Sequence, residues 1–579
     1  MVIIVKLSKT WLISAALLSA LLFSGIATAL YLDSDSGRIE VETVSIIEGN
    51  IKLSGLLYRP KSADAANPTA AVVLAHGIGG SKEMMSSIGL ELARRGFTSL
   101  CLDLYGHGES QGTVEDGRKD QSFGVYAAVR YLKSQPFVNS SALGLLGHSL
   151  GAGAARAAAF QEADVNALVL IAGGLGEVAG GSGYGVINST YPRNLLVIVG
   201  EYDILFDISK LAAEDLPAAF GVNQQVAPGV VYGSFSSQTA RKLVIPLTTH
   251  LFEPLDPAVI SESIGWMEKS LGKPQGTQGD FGNGFVYPQR EASILAAFIG
   301  MLGLAVLLPH LFDSPCQKPR TEKVEAEETS NGNWRLYLVW GVVNLALFAP
   351  MFGVGLVLSF PPMIFGSSVA WWLLSSGLAG LLLSGKFSKR IAGRSLALRD
   401  VSAGAFTKKG LIMILASFAF LFATATILST LLNFSFRIIA NILSNLSSAR
   451  RVLAFAAFLP FFIPYFISEG LYLHKFAQPM PNEQSIRNET RNVAGKVFGK
   501  TAPFIALLSL HYIVRIMFGI WILPSFAGFL LEFLWLILPI FAITTVFSSM
   551  FYKRTENIFP GALFNSLLMA WVASVVFPF

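Results

Sequence analysis

Residues 147–151 of this chain read Gly-His-Ser-Leu-Gly, a stretch from which the organisation of the first half of the chain can be predicted. An apolar run precedes it and a run of small residues follows it, which predicts a buried strand, a sharp turn and then a helix. Glycine has no Cβ, so the two glycines allow a tighter turn and a closer backbone approach than other residues would. We therefore expect Ser149 to hold a strained conformation that presents its hydroxyl to solvent at the positively polarised start of a helix.

The composition separates the chain into two halves of different character. Its 579 residues exceed the size of one ordinary domain. Charged residues make up 14% of the total, against about 25% in a typical soluble domain. The shortfall lies in residues 291–579, where long apolar runs alternate with short basic loops, whereas residues 32–290 have an ordinary soluble composition. We expect a soluble domain at 38–272, a linker at 273–290 and a membrane domain at 291–579.

Residues 38–272 alternate between strand and helix patterns. Strands are predicted at 39–47, 51–58, 70–75, 97–104, 143–146, 167–172, 194–200 and 242–247, and helices at 84–95, 121–134 and 256–271. This alternation predicts parallel β-α-β units, and therefore an α/β fold with a mostly parallel sheet that helices cover on both faces.

With this pattern, roughly residues 40–272 resemble the α/β-hydrolase superfamily. Three features carry the resemblance: a His-Gly-Ile-Gly-Gly run at 76–80, the stretch at 147–151, and an acid followed by a histidine after later strands. The acid position of the family matches Asp203, and its histidine position matches His250. Dienelactone-hydrolase-like esterases and the serine aminopeptidase-like group are the most similar branches, and the residues do not separate them.

The resemblance implies a catalytic triad, in the order Ser149, Asp203, His250 that this fold uses. Ser149 would be the nucleophile, His250 the base that accepts its proton, and Asp203 the group that orients the imidazole. The backbone N–H groups of Ile78 and Leu150 would form the oxyanion hole. No metal-ligand spacing or cofactor motif is present, so we expect neither a metal nor a cofactor.

Two aspects of this site stay open in the sequence. Glu201 or Asp207 could take the place of Asp203, because both lie near the end of the same strand. The glycine-rich stretch after residue 172 leaves room for only a small lid, which predicts a fairly open site for an ester, thioester or amide of modest size. A lipid-like acyl substrate that enters from the bilayer is a further hypothesis, suggested by the neighbouring membrane domain.

Nine apolar runs are long enough to cross a bilayer. The first, at 11–32, fits an anchor that stays attached better than a cleaved signal peptide, although Ala-Thr-Ala at 27–29 resembles a cleavage site. The others lie at 292–312, 336–360, 362–385, 411–433, 452–472, 501–523, 526–550 and 558–578. Lys and Arg concentrate in alternate loops, on the side of Lys6 and Lys9. The positive-inside rule therefore predicts an integral membrane protein with its soluble domain outside the cytoplasm.

Ionisable residues inside the apolar runs are costly to bury and are candidates for function. His511 and Arg515 are four residues apart, which predicts one helix face, and Arg515 could pair with Glu532 on the next run. A structural ion pair, snorkelling side chains and a substrate or proton path are the alternatives for this group.

The leading interpretation is a membrane-embedded serine hydrolase that works through an acyl-enzyme. A transporter or membrane sensor with a ligand-binding hydrolase-like domain, and a structural scaffold, are the alternatives. The net charge of +5 does not indicate nucleic-acid binding, because the basic residues lie between apolar runs. We expect no disulfide between Cys101 and Cys316, which fall on opposite sides of the membrane, and the sequence does not predict an oligomeric state.

Overall fold

The computed structural model describes residues 8–175, 185–272, 284–312, 334–391, 407–437, 441–476 and 486–579. The glycine-rich stretch at 176–184, most of the predicted linker and Cys316 lie outside these residues. Within the described residues, an α/β domain is followed by a region composed almost entirely of helices.

The α/β domain is built on one nine-stranded sheet, in the order β1-β2-β4-β3-β5-β6-β7-β9-β8. The strands are β1 (Ile39–Glu48), β2 (Ile51–Pro60), β3 (Thr69–Ala75), β4 (Thr98–Leu102), β5 (Val138–His148), β6 (Val165–Ile171), β7 (Leu195–Ile198), β8 (Val231–Tyr232) and β9 (Arg241–Val244). The six strands from β4 to β9 across the middle of the sheet are parallel, while β1, β2 and β8 pair antiparallel at its edges. The predicted α/β fold is confirmed. The two-residue strand β8 was not predicted, because so short a segment carries no periodicity.

Helices cover both faces of the sheet and form two separate cores. The helices of this domain are α2 (Ser86–Arg94), α3 (Val114–Asp120), α4 (Val125–Lys133), α5 (Leu150–Gln161), α6 (Ile208–Lys210), α7 (Pro217–Phe220) and α8 (Pro257–Leu271). One core contains side chains from α4 and α5, and the other contains side chains from α2 and α8. Because both faces are covered, strands such as β3 are buried along almost their whole length, as parallel strands usually are.

Nine helices in the described part of the chain are long and apolar enough to cross a bilayer, in agreement with the nine predicted runs. They are α1 (Lys9–Asp33), α9 (Tyr287–Leu307), α10 (Trp334–Leu358), α11 (Gly366–Ile391), α12 (Lys408–Leu432), α13 (Ala449–Gly470), α14 (Ile486–Phe518), the pair α15 (Ser525–Glu532) and α16 (Leu534–Thr555), and α17 (Ile558–Val576). A short hairpin of β10 (Phe436–Arg437) and β11 (Asn441–Leu443) lies between α12 and α13. Length and composition make this an integral membrane protein.

Helix α1 packs closely against α9. Glycines permit the approach, since a Cβ on Gly25 would lie 2.6 Å from the Ser293 carbonyl oxygen and one on Gly300 would lie 2.6 Å from the Leu22 nitrogen. The buried Arg290 side chain ties the two helices together by an ion pair of 2.8 Å with Asp33. Helix α9 begins at Tyr287, so the last residues of the linker predicted at 273–290 belong to this helix.

The α/β domain contacts one end of the helical region, at segments that follow odd-numbered spans. Thr43 donates a 2.7 Å hydrogen bond to Asn433, which follows the fifth span. The backbone of Phe579, after the ninth span, accepts from Val114 N–H at 2.7 Å and donates to the Gly106 carbonyl at 3.2 Å. Both contacts therefore lie at the end of the bundle that is next to the α/β domain.

Basic groups gather at the opposite end of the bundle, where even-numbered spans finish. Lys553, near the end of the eighth span, pairs with Glu489 at 2.5 Å. Arg554 contacts the ring of His310, near the end of the second span. The α/β domain and these groups lie at opposite ends of the membrane-spanning helices.

Candidate active site

Ser149 stands at the turn between β5 and α5. Its backbone has φ 55° and ψ −117°, a conformation that residues with a Cβ rarely adopt and that costs free energy. Only glycine fits at the two flanking positions, because a Cβ there would be too close to neighbouring backbone atoms. A Cβ on Gly147 would lie 2.1 Å from the Gly151 carbonyl oxygen, and one on Gly151 would lie 2.3 Å from that of Ala75. The turn thus holds the Ser149 side chain clear of the sheet.

Ser149, His250 and Asp203 form one hydrogen-bonded chain. The Oγ of Ser149 lies 3.0 Å from Nε2 of His250, and Nδ1 of His250 lies 2.8 Å from Oδ2 of Asp203. Each of these side chains follows a strand of the parallel sheet, namely β5, β9 and β7, and the carboxyl ends of parallel strands meet at one edge. Ser149 is half-buried, whereas His250 and Asp203 are 2% and 1% exposed.

The alternative acids lie elsewhere. The Glu201 carboxylate faces Arg515, with Oε1 at 3.8 Å from Nη2. Asp207 caps the short helix α6 by accepting from the Lys210 N–H at 3.1 Å. Asp203 is the carboxylate that reaches His250, and its second oxygen accepts from the Leu205 N–H at 2.8 Å.

The electrostatic environment favours one tautomer of His250. The Asp203 carboxylate can only accept, so Nδ1 carries the proton and Nε2 is left to accept from the Ser149 hydroxyl. Burial alone would lower the pKa of His250, but the charge and hydrogen bond of Asp203, together with the charge of Glu532, raise this pKa, and the net shift is upward. The imidazolium form is therefore stabilised beside the serine.

Two buried side chains, His148 and Glu253, stabilise the segment that carries His250. Nε2 of His148 lies 2.9 Å from the His250 carbonyl oxygen and 3.3 Å from Oε2 of Glu253. Glu253 accepts from the Gly200 N–H at 2.7 Å. Burial raises the pKa of Glu253 well above its usual range, and the neighbouring Asp203 charge adds to the effect. These contacts fix the segment that carries His250.

The same residues form the one group with metal-like spacing in the described ranges. Ligand atoms of His148, His250 and Glu253 lie within 4.8 Å of one another. His250 is already bonded to Ser149 and Asp203, and one oxygen of Glu253 is bonded to the backbone. A zinc ion would need ligands at about 2.0–2.2 Å, so the observed contacts fit a hydrogen-bonded support better than a metal centre.

The two predicted oxyanion-hole residues lie on either side of Ser149. Leu150 begins α5, so its N–H has no acceptor within that helix. Ile78 lies in the turn after β3 and lines the same cavity as Ser149. Gly77 permits this approach, since a Cβ there would lie 3.0 Å from the His148 ring and 3.1 Å from the Ser149 Cβ.

The cavity above Ser149 has walls from both halves of the chain. The α/β domain contributes a glycine-rich turn and the side chains around the triad. The helical region contributes Phe529, Glu532, Phe533, Leu536 and Val576. The expected open site differs from the structure, because α15 and α16 of the helical region line this cavity. The stretch expected to form a small lid, 176–184, lies outside the described residues.

The contact between α15 and the α/β domain is tight. The ring of Phe529 meets the His250 ring edge to face, with centroids 5.4 Å apart. A Cβ on Gly528 would lie 2.0 Å from Cδ1 of Ile204. Further along, Phe252 packs against Trp535 with ring centroids 5.6 Å apart. The cavity is therefore an interface between the two halves.

Sequence reasoning missed the position of Glu532 at this cavity. The carboxylate is 3% exposed and accepts a hydrogen bond from the Tyr512 hydroxyl. The expected pairing with Arg515 was wrong: that guanidinium lies over the Trp521 ring at 5.3 Å and faces Glu201. A glutamate in an apolar run made Glu532 a candidate for function. Its hydrogen-bond partner, however, depends on how α14 and α15 are rotated relative to each other, which the sequence does not show.

Residues 66–183 match the family model described as serine aminopeptidase, S33. Over 121 residues the chain is 30% identical to the uncharacterized protein YcjY of Escherichia coli, covering 20% of this chain and 40% of YcjY. It is 29% identical over 217 residues to a putative phosphoribosyl transferase of Mycobacterium tuberculosis, covering 37% of this chain and 42% of that protein. The chain thus spans about two fifths of the length of these curated relatives.

Solved structures that resemble the chain include two hydrolases. The esterase Pf2001 of Pyrococcus furiosus has 20% identity and a TM-score of 0.32, with 41% of this chain and 96% of that chain covered. A dienelactone hydrolase of Anabaena variabilis has 23% identity and a TM-score of 0.26, with 40% and 99% covered.

Proposed function

We propose that this chain, in which an α/β-hydrolase domain is followed by a region of membrane-spanning helices, is a membrane-bound serine hydrolase. It would cleave a carboxylic ester, thioester or amide through an acyl-enzyme. The observation that carries the proposal is the hydrogen-bonded chain from Ser149 through His250 to Asp203. Its members come from three separate strand ends, a convergence that a structural turn would not need.

The geometry supports the following steps. His250 Nε2 takes the proton of the Ser149 hydroxyl as Oγ bonds to the substrate carbonyl carbon. The N–H groups of Ile78 and Leu150 stabilise the resulting oxyanion, and loss of one such donor typically costs about 10²–10³ in rate. The imidazolium then gives its proton to the leaving alcohol, thiol or amine. Water, deprotonated by the same imidazole, cleaves the acyl-enzyme and restores Ser149.

The cavity wall supports a lipid-like acyl substrate. Phe529, Phe533 and Leu536 present apolar surface beside Ser149. They belong to the span Ser525–Thr555, so the cavity borders helices that lie among lipids. Burial of an acyl chain against such surface contributes about 0.8 kcal/mol per CH₂ group. A substrate could therefore enter from the bilayer with its carbonyl next to the serine.

The charge distribution supports a hydrolase domain outside the cytoplasm. Lys553 and Arg554, near the end of the eighth span, lie at the end of the bundle opposite this domain, and basic residues that flank spans remain cytoplasmic. Arginines at the domain's own end have local partners. Arg437 pairs with Glu291 at 2.7 Å, Arg450 donates to the Gly112 carbonyl at 3.1 Å, and Arg451 donates to backbone carbonyls that include Gly106. Their positions therefore follow from structural contacts.

Rapid-mixing kinetics test the acyl-enzyme. With an activated p-nitrophenyl ester, the full-length protein in detergent should release one equivalent of p-nitrophenol per site in a burst before steady turnover. Ser149→Ala should show neither burst nor turnover, and the exposed control Ser140→Ala should match the wild type. Turnover that persists in Ser149→Ala would refute the proposal.

A further inference from the structure

Glu532 is a buried acid that lines the cavity above Ser149, and the proposed reaction steps give it no role. It ends α15 and lines the cavity together with Ser149 and His250. Phe529, Phe533 and Leu536 surround it with apolar surface. A carboxylate in such surroundings is costly unless hydrogen-bond donors meet both of its oxygens.

Among the described residues, only one of its oxygens has a hydrogen bond of good geometry. The Tyr512 hydroxyl donates to Oε1, while Oε2 has no hydrogen-bond partner among the described residues. The Thr249 hydroxyl lies nearby, but it too lacks a hydrogen bond of good geometry. An unpaired buried acceptor of this kind destabilises the protein, and a donor from a bound molecule would recover that free energy.

The charges around the cavity limit which molecule this is. The residues that line it include no lysine or arginine in the described part of the chain. Asp203 contacts Nδ1 of His250 and Ser149 contacts Nε2, so Asp203 lies on the other side of the imidazole from the serine. A phosphate or carboxylate next to the reacting carbonyl would therefore lie near the carboxyl group of Glu532 with no lysine or arginine to balance the charge, whereas a hydrogen-bond donor could bind to that group.

We propose that Glu532 binds a hydrogen-bond donor, a hydroxyl or a protonated amine, that the substrate carries beside its scissile carbonyl. The inference rests on the proposed hydrolase function and names the substrate class for it: acyl compounds with a hydroxyl or ammonium group close to the carbonyl. The specificity of the α/β domain would then be set by a residue of the membrane-spanning region.

Three p-nitrophenyl esters that differ only at carbon 2 test this assignment: butanoate, 2-hydroxybutanoate and 2-aminobutanoate. The measured quantity is the ratio of kcat/KM for each substituted ester to that for butanoate, in wild type, Glu532→Gln and Glu532→Leu. Hydrogen bonds to a charged group are worth enough to give a wild-type preference of about 10- to 100-fold for at least one substituted ester. Glu532→Leu should abolish the preference.

The glutamine variant separates the two donors. Its amide oxygen still accepts from a hydroxyl, so a preference for 2-hydroxybutanoate should largely survive in Glu532→Gln. A preference for the ammonium ester should be lost, because the amide carries no charge. Glu201→Gln is the matched control, since Glu201 faces Arg515 outside the cavity lining, and its ratios should equal those of the wild type.

The failures of the two proposals are distinguishable. Hydrolysis of all three esters with equal kcat/KM would overturn the role of Glu532 and leave the hydrolase intact. A preference that is unchanged in Glu532→Leu would overturn it as well. Absence of hydrolysis and of a p-nitrophenol burst with every ester would overturn the hydrolase, and the inference with it.

Discussion

The ring of Phe529 stands perpendicular to the imidazole of His250, with centroids 5.4 Å apart. The first residue belongs to a candidate membrane span and the second to the α/β domain, so the two halves meet at the hydrogen-bonded chain of Ser149, His250 and Asp203. The helical region therefore forms part of the cavity above Ser149.

This contact predicts that Phe529→Ala weakens the processing of long acyl chains. The variant removes apolar wall next to the triad and lets water approach. We expect kcat/KM for a dodecanoyl ester to fall by about 10-fold, and that for an acetyl ester to fall less. Phe518→Ala, at an exposed position of the preceding helix, is the control and should behave as the wild type. Equal losses for both esters in Phe529→Ala would argue against an acyl-binding wall.

Asp203→Asn should reduce kcat by about 10⁴, because an asparagine stabilises the wrong tautomer of the histidine. Steady-state kinetics with an activated ester give the value. Glu201→Gln and Asp207→Asn serve as controls and should retain nearly full activity, since neither side chain reaches His250. Normal activity of Asp203→Asn together with a loss in Glu201→Gln would move the acid to Glu201.

The pH profile of kcat/KM should show an acid limb set by His250. The histidine works as a base only when neutral, so activity falls as the pH drops below its pKa. Because Asp203 raises that pKa above its ordinary value of about 6.5, the limb should lie above this pH in the wild type. In Asp203→Asn, burial dominates and lowers the pKa, so the residual activity should extend to more acidic pH. A limb that moves the other way would contradict the electrostatic account.

The proposed orientation predicts how cysteines react with a membrane-impermeant thiol reagent. Cys316 follows the second span in the sequence, and the proposed orientation predicts that it faces the cytoplasm. The reagent should therefore leave Cys316 unlabelled in intact cells and label it in permeabilised cells. Ser140→Cys, on the exposed part of β5, should be labelled in intact cells. Cys101 is fully buried and should stay unlabelled in both. Labelling of Cys316 in intact cells would invert the topology.

The sequence predicted most of the features that depend on local pattern. Alternation of strands and helices indicated the sheet, apolar length indicated nine spans, and the order of motifs brought Ser149, Asp203 and His250 together. Each of these signals lies within a short stretch of sequence. The carboxyl ends of parallel strands lie at one edge of the sheet whatever the loops between them contain, so residues that follow different strands come together there.

What the sequence could not predict depends on how the two halves pack. Glu532 faces Tyr512 and the cavity, and Arg515 faces Glu201, because of the rotation of α14 against α15. The pattern of apolar residues within either helix does not predict that rotation. The short interval before β7 suggested an open site, while the cover comes from more than 300 residues further along the chain.

The most direct test of an activated serine is labelling of membranes that contain the full-length protein with a fluorophosphonate probe. This probe phosphonylates a serine that a neighbouring base has made nucleophilic. We predict labelling of the wild type and of Ser140→Ala, no labelling of Ser149→Ala, and a modified peptide that contains Ser149. A folded wild-type protein that takes up no probe, or a label that persists in Ser149→Ala, would contradict the account.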